Sequence, residues 1–575
     1  MTDMVPITGS RPPLLQVNNL TVDFALRNGV FRAVDGLSFS IDPGKTLCVV
    51  GESGSGKSVT ARSILQIVDA PGRIAAGSIV LNGKDGRPVD LVSLSPRGRQ
   101  IRAIRGRDIA MIFQEPMSSL SPVHTVGDQI IEALRLHTRM SKAQARAEAI
   151  SLLQQVEIPS PEKAVDRYTF QYSGGMRQRA MIAMALACKP QLLIADEPTT
   201  ALDVTTQAEI LDLIARLQKA NGMAVLFITH DMGVVAQIAD DVLVMHNGVA
   251  KEYAPVEQIF HAPKDSYTRM LIGSVLKLEA KAEIRLARTP LDKTAAPILE
   301  LRNVSVDFGE VKALDDISIS LLPRETLGIV GESGSGKTTM GRSIMRLIDP
   351  TAGEIVYRRA DGGTIDLATA KGQTLATARR ELRMVFQDPF GSLNPRMTVS
   401  QIIGEPLLVN GVASGRALDE RVCHLMEQVG LDPASRERYP HAFSGGQRQR
   451  IGIARAITLN PRVIVADEAT SALDVSVRSQ VLDLLMRLQD ELGLAYIFIS
   501  HDIGVIRYMC DRVGVMYKGR LVEVGDADKV CKTPEHAYTQ ALISAIPRPD
   551  PRDRDRSRRF RYVEPGNLKN GSSVR

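Results

Sequence analysis

Two eight-residue runs, GESGSGKS at Gly51–Ser58 and GESGSGKT at Gly331–Thr338, hold the residue types that phosphate chemistry needs. Gly51, Gly54 and Gly56, with Ser53 and Ser55 between them, let backbone N–H groups converge on phosphate oxygens that bulkier residues would crowd. Lys57 is then expected to reach the β and γ phosphates, and the Ser58 hydroxyl to bind Mg²⁺. Gly331, Ser333, Gly334, Ser335, Gly336, Lys337, Thr338 and the following Thr339 offer the same set a second time. Further along, the apolar runs LLIAD and VIVAD each end in paired carboxylates, Asp196 with Glu197 and Asp467 with Glu468. The two aspartates are expected in the Mg²⁺ shell. The glutamates, one residue on, are placed to polarise a water for in-line attack on a γ-phosphate.

Such groups work only where particular elements carry them. The runs TLCVVG, LLIAD and VLFIT are short, apolar and rich in β-branched residues, which reads as buried parallel strands whose ends present polar or Gly-rich turns. Strand ends are where α/β folds bind ligands. Each Gly-rich loop follows such a strand and opens a helical stretch, the context a phosphate-binding loop requires. Between Gln114 and Tyr172 the spacing of apolar residues is helical, so this segment is read as a helical subdomain inserted into the α/β core. The whole pattern occurs twice. PLLQVNNLTVDF (Pro13–Phe24) matches PILELRNVSVDF (Pro297–Phe308), and MIFQEPMSSLSP (Met111–Pro122) matches MVFQDPFGSLNP (Met384–Pro395). From YSGGMRQR (Tyr172–Arg179) and FSGGQRQR (Phe443–Arg450) onward, the two halves run at one constant offset of 271 residues.

SGGMRQR and SGGQRQR resemble the signature of ATP-binding cassette (ABC) proteins, with the carboxylate motif 23 residues on, then ALD, then a His after a strand. The resemblance covers residues 14–275 and 297–547. It implies an α/β fold of two P-loop NTPase cassettes in tandem, each a mixed or parallel sheet core with an inserted helical subdomain. In that family two cassettes clamp face to face, so each ATP is shared between the loop of one and the signature of the other. Ser173, Gly174 and Gly175, or Ser444, Gly445 and Gly446, would point N–H groups and a positive helix end at a γ-phosphate. Gln114 and Gln387 resemble the glutamine that contacts Mg²⁺ and the attacking water. His230 and His501 resemble the switch histidine, and Asp203 and Asp474 the D-loop aspartate. Phe24 and Phe308 are the expected adenine-stacking rings, with Phe31 competing with Phe24. Both sites are complete, so both are expected to hydrolyse ATP; the departures are Ala469 where the first half has Pro198, and Met176 where the second has Gln447.

VEQIFHAPKDSYTRMLIGSV and KTPEHAYTQALISAIP, after the switch histidines, are similar to the C-terminal extension of peptide-importer cassettes. The resemblance implies the fused dipeptide, oligopeptide or glutathione importer type, with two permease subunits and a separate solute-binding protein as partners. Ala537 stands in place of that extension's Pro, with Asp265 and Ser266 at the equivalent first-half positions, so the extension reads as degenerate or as a surface cover. A soluble tandem cassette acting on ribosomes is the alternative class; it typically uses a long basic helical linker, whereas the linker here has about 20 residues.

The 575 residues therefore divide into a first cassette (1–275), a linker (276–296), a second cassette (297–547) and a basic tail (548–575). No run of about 18 apolar residues appears, and MTDMVPITGSRPPLL lacks a secretory signal's basic start and apolar stretch. The expected place is the cytoplasmic face of the inner membrane, reached through the permease. Cys48, Cys188, Cys423, Cys510 and Cys531 show neither a disulfide framework nor zinc-ligand spacing. The tail's nine Lys/Arg against four Asp/Glu supply +5 of the net +6, which leaves a nearly neutral body and no bulk-charge argument for nucleic acid. The run PRDRDRSRRFR (Pro551–Arg561) reads as solvated, with anionic lipid headgroups the sharper alternative.

Overall fold

The computed structural model describes residues 12–27, 29–83, 87–114, 119–200, 202–279, 291–388, 391–471, 473–554, 559 and 562. They form two compact units: one from residues 12–202, 206–272 and 547–554, the other from 203–205, 273–546 and the described residues beyond 555. None of the described helices is long and apolar enough to cross a membrane.

In the first unit the strands are β1 (Leu15–Leu26), β2 (Gly29–Ile41), β3 (Thr46–Val50), β4 (Gly72–Asn82), β5 (Pro88–Asp90), β6 (Ile109–Ile112), β7 (Leu192–Asp196), β8 (Ala224–Ile228), β9 (Asp241–His246) and β10 (Val249–Pro255). Six form one sheet in the order β6-β7-β8-β3-β9-β10, all neighbours parallel except the last pair. β3, β7 and β8 are buried at every residue, as strands covered on both faces must be. Because β6, β7, β8 and β3 are adjacent and parallel, their C-terminal ends lie side by side, about 5 Å apart from strand to strand. Those four ends lead into Gln114, the Asp196–Glu197 pair, His230 and the Gly51–Ser58 loop. The sheet's central order thus assembles residues that lie up to 179 positions apart in sequence.

The second unit repeats this arrangement. Its strands are β11 (Leu299–Phe308), β12 (Val311–Leu321), β13 (Thr326–Val330), β14 (Ala352–Arg358), β15 (Thr364–Asp366), β16 (Leu382–Val385), β17 (Val463–Asp467), β18 (Ala495–Ile499), β19 (Arg512–Tyr517) and β20 (Arg520–Asp526). The six-stranded order is β16-β17-β18-β13-β19-β20. The expected inserted helices are present in both units: Val126–His137 and Lys142–Gln155 in the first, Val399–Val409 and Gly415–Gln428 in the second. Thr125, Ser141 and Thr398 cap three of them by accepting from backbone N–H groups in the first turn.

Three features differ from the sequence expectation. Each unit carries a separate four-stranded antiparallel sheet, β2-β1-β4-β5 and β12-β11-β14-β15, beside its parallel one. The helix Ser266–Glu279 runs past 275 into the expected linker, of which 280–290 lie outside the described residues. Finally, residues 548–554 of the expected solvated tail are bonded to the first unit: Gln237 Nε2 donates to the Asp553 carbonyl at 3.2 Å, Arg554 Nη2 to the Ala239 carbonyl at 2.6 Å, and Arg552 pairs with Glu257 at 3.2 Å. A helix side chain, the backbone carbonyl after that helix and one ion pair hold this piece, and the two backbone bonds are invisible in a tally of charge.

Gly51 shows how the fold admits the loop. Its φ is +151°, and a Cβ there would sit 2.1 Å from the Met245 carbonyl oxygen of β9; at Gly331 the corresponding distance to the Met516 carbonyl is 2.2 Å. No L side chain fits either contact. Gly44, also left-handed at φ +75°, has open space around it. Gly51→Ala and Gly331→Ala are each expected to displace the loop and weaken ATP binding at their own site by more than about tenfold. Gly44→Ala should cost about 1–2 kcal/mol of stability from backbone strain alone, with nucleotide affinity intact. Titration with ATP alongside thermal melting checks both, and an unweakened Gly51→Ala would refute the packing argument.

Candidate functional site

Lys57 opens the helix Lys57–Ile64 behind Gly56, an N-cap at φ +97°. The residue is 6% exposed, and its ammonium donates to the carbonyls of Gly51 and Glu52, both at 2.8 Å. Ser58 Oγ donates to Asp196 Oδ1 at 2.9 Å, so the expected metal pair is already in contact. Glu197 has φ +46°, yet its N–H still donates to the Ile228 carbonyl at 3.0 Å. That left-handed turn swings its carboxylate back along the strand ends. There it accepts from Gln114 Nε2 at 3.0 Å and Thr200 Oγ1 at 2.9 Å, and faces His230 Nδ1 at 3.4 Å.

The second unit reproduces the set. Lys337, 6% exposed, donates to the carbonyls of Gly331 at 2.8 Å and Glu332 at 2.7 Å. Thr338 Oγ1 donates to Asp467 Oδ1 at 3.1 Å, and Gln387 Nε2 to Glu468 Oε2 at 2.7 Å. Glu468, at φ +46°, lies 3.3 Å from His501 Nδ1. One difference stands out. Ser471, in the position of Thr200, donates to the Glu468 backbone carbonyl at 2.9 Å instead of to its carboxylate.

The electrostatics split each carboxylate pair. Burial pushes Asp196 and Asp467 above the usual range, reinforced by the glutamate next door and opposed by the hydroxyl bond and nearby cations. Burial would raise Glu197 too, but the His230 bond and charge, the Thr200 hydroxyl and Lys57 bring it down to about 2. Against the same burial, His501 and Lys337 hold Glu468 below its ordinary value. His501 is pulled the other way: burial disfavours its charge, but Glu468 and Asp502 raise it above the usual imidazole value. Adjacent carboxylates in opposed environments are suited to different tasks.

Among the described residues no cluster of three or more His, Cys, Asp or Glu could hold a metal by itself. A hydroxyl beside one carboxylate, with a glutamine near, fits instead an ion that keeps water and phosphate oxygens as its other ligands, as Mg²⁺ does. The residues present therefore fit Mg²⁺ carried in with a nucleotide.

The remaining expected residues make contacts of their own. Ser173 and Ser444 cap the helices Gly174–Leu186 and Gly445–Ile457 by accepting from Met176 and Gln447 N–H. Gln447 returns the bond to the Ser444 N–H, which Met176 cannot do at Ser173. Asp203 accepts from Thr205 Oγ1 at 2.7 Å, and Asp474 precedes the helix Val475–Leu492. Phe24 is partly buried against the core, whereas Phe31, its cross-strand partner, is 53% exposed, as is Phe308. Thr200 was not anticipated. Its signal was the run DEPTT, which places a hydroxyl three residues after Glu197.

The family model described as ABC transporter matches residues 34–200 and 314–471, and that of the oligopeptide/dipeptide transporter C-terminal region matches 251–298 and 522–571. The chain is 47% identical to the glutathione import ATP-binding protein GsiA of Pectobacterium atrosepticum, over 96% of this chain and 93% of that one. Identity to the same-named proteins is 48% in Escherichia coli O157:H7 and 49% in Salmonella choleraesuis, covering 94% and 95% of this chain and 90% and 91% of theirs. A solved structure of cbiO1 from Clostridium perfringens, part of the ABC transporter complex cbiONQ, matches 41% of this chain and 92% of its own at 28% identity, with a TM-score of 0.38. Matched twice by the ABC transporter model and along nearly its whole length by ATP-binding proteins of importers, the chain belongs to the ABC transporter family, as a tandem-cassette ATPase.

Proposed function

We propose that this ATPase is the motor subunit of a membrane importer for small peptides of the glutathione, dipeptide or oligopeptide kind. The observation that carries the reading is the end-to-end identity with glutathione import ATP-binding proteins, joined to an extension of the oligopeptide/dipeptide type after each cassette. Its work is delivered to two permease subunits at the cytoplasmic face of the inner membrane, and a separate solute-binding protein supplies the substrate. Nothing in the comparisons favours a ribosome-acting role.

Each ATP is shared in this reading: Gly51–Ser58, Gln114, Asp196, Glu197 and His230 pair with Ser444–Gly446, while the second unit's set pairs with Ser173–Gly175. Mg²⁺, when bound, draws charge from the transferring phosphoryl group. The chain's own part is positional. Lys57 holds β and γ oxygens, Ser58 and Asp196 orient the metal, and the adenine ring stacks on an exposed aromatic, Phe308 in one half and Phe31 in preference to Phe24 in the other. Glu197, ionised in its present setting, accepts a proton from the attacking water once Gln114 and His230 turn from its carboxylate to the nucleotide. Each bond withdrawn raises its basicity.

Three outcomes follow. Glu197→Gln and Glu468→Gln should each cut ATP turnover by about 10²-fold or more while ATP still binds; an unchanged rate from either removes that site from the mechanism. The purified chain should co-purify with two different membrane subunits, and their joint reconstitution should import labelled glutathione or a dipeptide on ATP addition; association with ribosomes instead would overturn the reading. The third outcome is pH-dependent. Glu468's value lies below 4.5, so its share of the His501 contact is lost as pH falls; His501's lies above 6.5, so its share is lost as pH rises through that raised value. The contact is fullest between the two. In Glu468→Gln, the His501 ring should titrate at lower pH by NMR, and an unmoved titration would refute the pairing.

A further inference from the structure

The two extensions after the switch histidines reach the phosphate loops of their own units. In the first, the Tyr267 hydroxyl accepts from the Glu52 backbone N–H at 3.3 Å; in the second, the Tyr538 hydroxyl accepts from the Glu332 N–H at 3.0 Å. Glu52 and Glu332 are the residues whose carbonyls hold Lys57 and Lys337. One peptide residue therefore has its N–H fixed by the extension and its C=O fixed by the catalytic ammonium.

The tyrosines are themselves held at several points. Tyr267 stacks on His246 with ring centres 4.3 Å apart, and Tyr538 lies against Tyr517 at 4.4 Å. Tyr267 N–H donates to Asp265 Oδ1 at 2.8 Å, and Tyr538 N–H to His536 Nδ1 at 3.1 Å. Behind them, the Glu252 carboxylate accepts from the N–H groups of Lys264 and Asp265, and Glu523 from those of Glu535 and His536. All of these pairs stand 271 residues apart. The departure of Asp265 and Ser266 from the second half's His536 and Ala537 preserves the geometry, since either side chain accepts from the tyrosine N–H.

We infer that Tyr267 and Tyr538 are positioning residues for ATP: each clips the C-terminal extension to the second residue of its phosphate loop and, through that residue's carbonyl, sets the place of the loop lysine. The extension is then more than a cover, because a shift in it is felt at the ammonium that meets the phosphates. This rests on the ATPase activity of the family and on neither the solute nor the permease.

The test is Tyr267→Phe with Tyr538→Phe in the full chain, with Mg²⁺ and ATP. Phenylalanine keeps the stacked ring and removes the hydroxyl. The KM for ATP should rise about threefold to tenfold, the worth of one hydrogen bond, with kcat within about twofold and the melting temperature little changed. Hydrogen exchange of the peptides spanning residues 51–58 and 331–338 should accelerate in the same variant. A KM and an exchange rate both equal to the parent's would overturn the inference, as would a fall in melting temperature with neither moved. If the double variant fails to fold, the two single variants carry the same expectations separately. The exchange measurement needs no turnover, so a failure of the importer reading leaves this result to be judged alone.

Discussion

A buried ammonium is the constraint around which each unit is arranged. Lys57 and Lys337 are almost wholly enclosed, and an uncompensated charge in such a place costs several kcal/mol. The loop supplies the compensation from its own backbone, bending until two consecutive carbonyls face the lysine. That curl is possible only with left-handed glycines at both ends of the loop and with a strand end that comes within contact of the carbonyl of β9 or β19. The glycine pattern and the start of the following helix thus serve one electrostatic demand.

The carboxylates obey a second demand. Glu197 and Glu468 adopt φ +46°, a conformation that costs a non-glycine residue about 1–2 kcal/mol. The strain keeps two bonds that would otherwise compete: the N–H stays in the ladder with the neighbouring strand, and the carboxylate turns toward the histidine at the end of that strand. Asp196 and Asp467, one residue earlier, remain in the strand and point at the hydroxyl that opens the helix. Two adjacent acids acquire opposite proton affinities because one backbone turn separates their surroundings.

What sequence made legible follows from this chemistry. Phosphate-loop glycines, the lysine and the acid pair are dictated residue by residue, so their types and spacing announced the site and the parallel strands beneath it. The antiparallel sheet was harder to see. β1 and β11 carry bulges in their registers, which break the two-residue alternation by which a half-buried strand is recognised. Phe24 was expected ahead of Phe31 as the stacking ring; the two are cross-strand partners, and only packing reveals that Phe24 leans on the core. Two of the bonds of residues 548–554 and those of the two tyrosine hydroxyls use backbone partners, which any sequence could provide and none advertises.

The spacing of the two halves shows which parts geometry holds fixed. Gly51 and Ser173 are 122 residues apart, whereas Gly331 and Ser444 are 113 apart; from the signature to the extension's tyrosine the halves then run at 271 without one insertion. The variable stretch contains β4 and β5, or β14 and β15, and the inserted helices, and loops between such elements accept changes of length at little cost. The invariant stretch contains the acid pair, the switch histidine, β9 or β19 and the extension. Each of those must reach the same few ångströms at the end of the central strand, and a single added residue in a strand would turn its side chains to the opposite face. Freedom from insertion therefore extends as far as the tyrosine hydroxyl, which places the extension inside the geometric demand of the nucleotide site instead of outside it.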